Sequence, residues 1–436
     1  METLTPLLEL AREDRIHRLA TLFPGSLHHD SVAGAERLGF HGGRAAAVAR
    51  LATIDPVAYA HSRNHVGGAV TRLSPWLRHG VLSLAEVRDA AIARVPRPID
   101  AEKLISELGW RDYWRQVHYA IGTRIGTDIE PPAARPRVPP GPFQMPADVL
   151  EARTGMDCID AFVRHLHRTG WLHNHERMWL ASWLVHVRGI PWRTGADWFL
   201  SHLVDGDPAS NHLSWQWVAG TFSAKPYLFN RENLERFTTG SHCRACPLLG
   251  TCPVEGSYDD LSARLFVADP PVTREPLRIR PVAPPKRPAH PPTGRPLVWL
   301  TLDSLADTSP AAALHPGAPR LFVLDPRWLA DEKPSLKRLA FIVDCLAEID
   351  GIEVVMADPR KAVSEIAGAH RCSHVTVAST PCPVIRSTIA AVEATIPVVT
   401  IDEAPFCDRS GVSDLGRFSR YWSRVSRSAL APTAAA

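Results

Sequence analysis

Between Pro270 and Pro296 the chain reads PPVTREPLRIRPVAPPKRPAHPPTGRP, and no helix or central strand runs through such a segment, because each proline removes a backbone donor and clashes with the preceding turn. The stretch separates two regions of different character. Before it, from Leu4 to about Arg94 and again after Ala101, apolar runs at helical spacing alternate with Gly and Pro breaks. This predicts a mostly helical domain, crossed by a loop at Pro131–Pro146. After it, short runs rich in Val, Leu and Ile (Leu297–Leu302, Leu321–Leu324, Ile352–Met356, His374–Val377, Pro397–Ile401) alternate with helical patterns at Ser335–Ile349, Arg360–Ala369 and Val384–Ala394. That alternation predicts a parallel sheet covered by helices on both faces. The expected division is a helical domain over 1–262, a Pro-rich linker over 263–296, an α/β domain over 297–410 and a basic tail over 411–436. The α/β part carries no GxGxxG or Walker motif, so its pattern alone implies no ligand.

Composition excludes little. With 436 residues, 45% hydrophobic content and a net charge of +3, the chain can bury a sizeable core, and its charge is too mild to signal nucleic-acid binding except through local basic clusters. No leader pattern or membrane-length apolar run is evident, so a cytoplasmic protein without membrane association is expected. In that setting eight cysteines read as thiols or metal ligands rather than a disulfide framework. Cys243-x2-Cys246-x5-Cys252 has metal-ligand spacing, and Cys158 is the best candidate for a fourth ligand. All-cysteine ligation suits a [4Fe-4S] cluster or structural zinc. Cys345, Cys372, Cys382 and Cys407 lack such spacing.

Other residues suggest a polar, aromatic-lined site. Thr71, Arg72 and Ser74 offer short donors and a positive charge at an expected helix start, where an anion is favoured, although such a motif is more often only an N-cap. Asn174, Arg177 and Met178 lie on neighbouring faces of a helix. Arg177 also has Asp205 as a salt-bridge candidate. Core packing is the default for any single tryptophan.

Taken together, TGMDCIDAFVRHLHRTGWLHNHERM and PWRTGADWFLSHLVDGDPASNHLSWQWVAGTFSAKPYLFN, between Thr154 and Asn230, resemble the flavin-binding core of the photolyase/cryptochrome family. AVTRLSPWLRHGVLS resembles its phosphate loop and Glu107-Leu108-Gly109-Trp110-Arg111 its E-x-x-W-R helix. The resemblance implies FAD held by Tyr59, Arg63, Thr71, Arg72, Leu73, Ser74, Arg111, Asn174, Arg177, Asp205, Asp207 and Asn211. It implies a pyrimidine dimer in damaged DNA as substrate, wedged by Trp110 and Trp217 and contacted by Glu107, Asn174 and Met178. Trp215 and Trp192 match the first two members of the family's electron-donating tryptophan chain; the usual third has no counterpart, and Trp179, Trp183 or Trp198 could complete another route. The cysteine pattern is similar to that of iron-sulfur bacterial photolyases, favouring the cluster over zinc.

PLVWLTLDSL, RLFVLDPRW and KRLAFIVDCLAEIDGIEVVMADP resemble the family's antenna domain, yet follow the flavin region. The fold implied is α plus α/β, a helical FAD-binding domain followed by a Rossmann-like domain in circularly permuted order. RFSRYWSRVSR, at Arg417–Arg427, resembles the segment that usually leaves the antenna domain. The function implied is blue-light-driven repair of pyrimidine dimers, cyclobutane type favoured, with a cryptochrome-like photoreceptor or a (6-4) photolyase using His173 and His175 as alternatives. A monomer is expected; the antenna chromophore is left open.

Overall fold

The computed structural model describes residues 1–27, 31–141, 143–267, 277–282 and 292–432. Most of the expected linker, residues 268–276 and 283–291, lies outside the described residues. Ten helices carry the functional argument: α1 (Arg12–Leu22), α2 (Pro56–Ser62), α3 (Ser74–Arg78), α4 (Glu102–Ile121), α5 (Asp157–Thr169), α6 (Asn174–Ser182), α7 (Trp192–His202), α8 (Pro208–Ala219), α9 (Leu336–Ala347) and α10 (Phe418–Ala429).

The 20-residue α4 is the axis of the helical part. Leu104, Ile105, Leu108, Tyr113 and Val117 bury one stripe at helical spacing, and α2, α8 and α10 pack around it. Gly109 lets α10 approach closely, since a Cβ there would collide with the Trp422 ring. α5 buries Cys158, Ile159, Phe162, Val163 and Leu166 and ends at Gly170, whose φ of 60° is the left-handed conformation of a helix C-terminus. α8 begins with Asp207 as N-cap and Pro208 in its first turn, and ends at Gly220 with φ 81°.

Six strands form one sheet in the order β1-β4-β3-β2-β5-β6: β1 (Glu2–Thr3), β2 (Pro296–Leu300), β3 (Arg320–Leu324), β4 (Ile352–Met356), β5 (His374–Ala378) and β6 (Val398–Ile401). β2 to β6 are parallel. Period-two alternation sends Val298, Leu300, Phe322 and Leu324 into a core with Leu339, Ile342 and Leu346 of α9. Leu297, Trp299, Leu321 and Val323 go to the opposite face, against Val363 and Ile366. The observed order, helical part first and mostly parallel sheet second, fits the α plus α/β class.

Two segments sit differently from the expected division. β1 pairs antiparallel with β4, Glu2 opposite Met356 and Thr3 opposite Val355, and α1 packs on α9. The first residues are therefore built into the α/β unit, although the sequence division groups them with the helical part. The expected basic tail contains α10, whose Tyr421, Val425 and Ala429 are buried and which packs on α4 of the helical part. Tyr421 Oη donates to Asp112, which also pairs with Arg409 at 3.1 Å.

Candidate functional site: a cleft lined by two arginine–aspartate pairs

A cleft of about 330 Å³ opens in the helical part, with walls from α2, the segment before α3, α4, α6 and α8. On α4, Glu107, Trp110, Arg111 and Trp114 recur at spacings of three and four, which puts them on one side of the helix. On α8, Ser210, Asn211, Ser214, Trp215 and Val218 span an arc of about 140° at 100° per residue.

Two ion pairs fix the polar end. Arg111 Nη1 lies 3.1 Å from Asp207 Oδ2 and its Nη2 donates to the Ser74 carbonyl at 3.4 Å. Arg177 Nη2 reaches both oxygens of Asp205, at 3.0 and 2.8 Å, while its Nε donates to the Leu172 carbonyl at 3.0 Å. Asp207 also caps α8, accepting from the amides of Ala209 and Ser210 and from the Ser210 hydroxyl at 2.7 Å. Burial alone would raise its pKa, but Arg111, Arg78 and the Ser210 hydroxyl outweigh it and hold the carboxyl well below the usual range. Burial lowers the pKa of Arg111, opposed by Asp207 and Asp205.

The segment before α3 is held in place by its neighbours. Arg50 donates to the carbonyls of Thr71 at 2.7 Å and Val70 at 3.1 Å. Arg72 adopts a left-handed φ of 55°, unusual for a residue with a Cβ, and its guanidinium lies 4.9 Å from the centre of the Trp171 ring. Trp171 Nε1 in turn donates to Ser74 Oγ at 3.2 Å.

At the other end, Arg63 pairs with Glu107 at 2.9 Å, whose pKa burial raises against the pull of Arg63 and Lys103. Asn174 Nδ2 faces Met178 Sδ at 3.2 Å, one turn along α6. Asn211 donates its side-chain amide to the Ala196 carbonyl at 2.8 Å. His173 caps α6: its Nδ1 accepts from the His175 amide at 3.1 Å and its Nε2 faces the Arg63 carbonyl at 2.9 Å. Both ring nitrogens are thus committed to main-chain partners, an arrangement that requires the neutral imidazole. Burial lowers the pKa of His173, and that of His175 to about 4.

The wall brings together Tyr59, Arg63, Thr71, Arg72, Ser74, Glu107, Trp110, Arg111, Asn174, Arg177, Met178, Asp205, Asp207, Asn211 and Trp215. Three expected site residues stand off it. Leu73 is 1% exposed in the apolar core. Trp192 donates its Nε1 to Asp128 at 2.7 Å. Trp217 falls just outside the α8 arc, about 200° around the helix from Trp215, and packs on Tyr227 at 5.6 Å. Trp110 lines the cleft while one ring face is stacked on Phe418 at 3.8 Å. The sequence reading missed Asn64, Trp114, Trp171, Ser210 and Ser214. Trp114 and Ser214 were within reach, each lying at helical spacing from an expected site residue; Trp171 carries no local signal.

A second, smaller cavity of about 20 Å³ is lined by Cys158, Cys243, Cys246 and Cys252 together with Arg231 and His242. Cys158 comes from α5, the other three from the later segment. Burial raises the pKa of Cys243 to about 11. Among the described residues, no three His, Cys, Asp or Glu side chains stand as a group able to hold a metal ion, and no helix is long and apolar enough to cross a membrane.

Residues 104–239 match the FAD binding domain of DNA photolyase. The chain is 39% identical over 159 residues to a deoxyribodipyrimidine photo-lyase of Streptomyces griseus, covering 36% of this chain and 33% of that protein. It is 35% identical over 167 residues to the deoxyribodipyrimidine photo-lyase of Escherichia coli, covering 37% and 35%. It is also 35% identical over 208 residues to a chloroplastic/mitochondrial cryptochrome DASH of Ostreococcus tauri, covering 44% and 37%. The chain thus spans about a third of the length of these relatives. Among solved structures, a bacterial class III photolyase from Agrobacterium tumefaciens is 28% identical with a TM-score of 0.39, over 46% of this chain and 43% of that one. A Synechocystis cryptochrome is 29% identical with a TM-score of 0.40, over 46% and 44%. Over residues 104–239, which include α6, α7, α8 and most of α4, the chain is similar to the FAD-binding domain of the photolyase/cryptochrome family.

Proposed function

We propose that this chain is a FAD-dependent, light-driven DNA lyase that splits pyrimidine dimers, cyclobutane dimers in particular. One observation carries the reading: a single cleft gathers residues suited to hold an anion, Thr71, Arg72, Ser74 and Arg111, and residues suited to read base edges, Glu107, Trp110, Asn174 and Met178. The residues fit the cofactor. Thr71, Arg72, Ser74 and Arg111 would hold the diphosphate through charge-assisted donors. Arg177, Asp205, Asp207 and Asn211 would meet the flavin ring and the ribose side. Once bound, FAD would supply the light-driven one-electron chemistry that dimer splitting needs.

The protein's own part is positioning and exclusion. A dimer must leave the base stack to enter the cleft, where the exposed part of Trp110 offers a stacking surface and Glu107 and Asn174 offer hydrogen bonds to base edges. Because His173 spends both ring nitrogens on main-chain groups, it is a poor proton donor to a substrate, which favours the cyclobutane reading over the (6-4) one. Trp215, packed edge-on to Phe199 at 5.0 Å and closed over Gly195, is the electron donor on the cleft wall, with Trp192 as a second member. The signalling alternative is favoured by the position of Trp217 off the wall, which leaves one fewer wedge for a dimer.

The α/β unit reads as the family's antenna-type domain in permuted position, supported by its following residues 104–239 and by the parallel order of β2 to β6. The four-cysteine cavity reads as a [4Fe-4S] site. Four thiols around one cavity support it, and soft thiolates suit a cluster and a zinc ion alike. Iron and sulfide analysis of anaerobically purified protein tests this: one zinc without sulfide, or no metal, refutes it. The main test is an absorption spectrum before and after blue light, followed by repair of a defined thymine dimer. Absence of flavin after reconstitution refutes the reading; photoreduction without repair selects the photoreceptor.

A further inference from the structure

Gly206 lies between the two carboxylates of the cleft wall, and its carbonyl is gripped by two guanidinium groups, neither of which lines the cleft. Arg78 Nε donates to it at 2.7 Å and Arg338 Nη2 at 3.0 Å. Arg338, fully buried on α9, also donates Nη1 to the Leu200 carbonyl at 2.8 Å and pairs with Glu332 at 2.8 Å. Arg78, at the end of α3, pairs with Asp303, whose other oxygen accepts from the Thr380 hydroxyl.

Asp303 follows β2 and Thr380 follows β5. Between these strands the sheet order reverses, β2 to β4 running one way and β5 to β6 the other. Such a switch point, at the carboxyl ends of the strands, is where open α/β sheets hold their ligands. Here the crevice takes an arginine from the helical part. The approach is close: a Cβ on Gly80 would collide with the Asp303 carbonyl, and one on Gly206 would meet Leu203 O at 3.0 Å and Arg338 Cζ at 3.3 Å.

We propose that the switch-point crevice is a guanidinium receptor occupied in cis by Arg78, and that Arg78 and Arg338 are positioning residues fixing the Asp205–Gly206–Asp207 turn, and thereby the grip of the cleft on its flavin. The flavin part rests on the functional reading above. Beyond their carboxylate partners Asp303 and Glu332, the two buried cations converge on the one carbonyl between Asp205 and Asp207, and so hold the backbone that carries both cleft carboxylates.

The test separates positioning from adhesion. Arg78→Met with Asp303→Leu removes both charges of the buried pair together, so neither partner is left stranded. The expected result is an FAD Kd weakened about tenfold, as loss of a charge-assisted hydrogen bond implies, with faster hydrogen exchange at the amides of residues 205–211 in the apo-protein. If the double variant misfolds, Arg78→Lys keeps the charge but lacks the fork that reaches Asp303 and Gly206 together, and the same losses are expected. Wild-type FAD affinity and unchanged exchange in either folded variant overturn the proposal. If the wild-type protein holds no flavin, the functional reading fails, while the exchange measurement still decides the clamp.

Discussion

Replacing Asp207 isolates its two roles, because asparagine keeps a capping oxygen and alanine does not. In Asp207→Asn the cap of α8 survives, asparagine being as good an N-cap as aspartate, but Arg111 loses the partner it holds at 3.1 Å. Removing one member of a buried pair costs about 3–5 kcal/mol. Arg111 retains Asp205 nearby, its side chain is 14% exposed, and the lower end, about 3 kcal/mol, applies. Asp207→Ala adds the lost cap, about 1 kcal/mol more. Urea denaturation of the apo-protein measures both without cofactor linkage. Arg111→Met added to Asp207→Asn restores most of the loss, because the stranded charge goes with it. The pH dependence has a fixed sign. The folded pKa of Asp207 lies below its unfolded value of about 3.9, so the stabilisation is complete above pH ~4 and is lost as pH falls through the folded pKa. The gap between wild type and Asp207→Asn therefore closes on acidification below that point. An asparagine variant within 1 kcal/mol of wild type at pH 7, or a gap that widens in acid, refutes the argument.

Trp215→Phe should leave FAD bound and slow photoreduction sharply, since aromatic packing against Phe199 is kept while the oxidisable indole is lost; unchanged photoreduction by transient absorption points to another donor. Tyr421→Phe should cost about 1–3 kcal/mol in denaturant melts, because the buried Asp112 loses a charged hydrogen bond; a change below about 0.5 kcal/mol would show that Arg409, Gln116 and Cys407 satisfy the carboxylate without it.

The sheet was legible because Leu297–Leu300 and Leu321–Leu324 are short continuous apolar runs set between helical patterns, a signal that depends only on the local chain. β1 was not, since two residues carry no period and their pairing with β4 is decided by the edge they find. The Asp205-Gly206-Asp207 segment was reached through its paired charges and the family resemblance, while its capping role emerged only with the start of α8. Trp217 was expected from the family resemblance alone, and helical geometry sets its indole about 200° around α8 from that of Trp215, just outside the cleft wall. Arg78 and Arg338 were invisible: nothing local marks a surface-type residue as buried until its partners at Asp303 and Glu332 are brought up from distant segments.

The pairing of β1 with β4 also bears on how the chain is made. Thr5 and Val354, which exchange hydrogen bonds at 3.3 and 2.9 Å, leave the ribosome roughly 20–70 s apart at 5–20 residues per second. For most of that interval Leu4, Leu7 and Leu19 have none of their later neighbours, Phe322, Leu339 and Ile342. The N-terminal segment must wait, apolar and unpartnered, while the helical part folds behind it. Its docking on the sheet edge cannot precede the synthesis of β4.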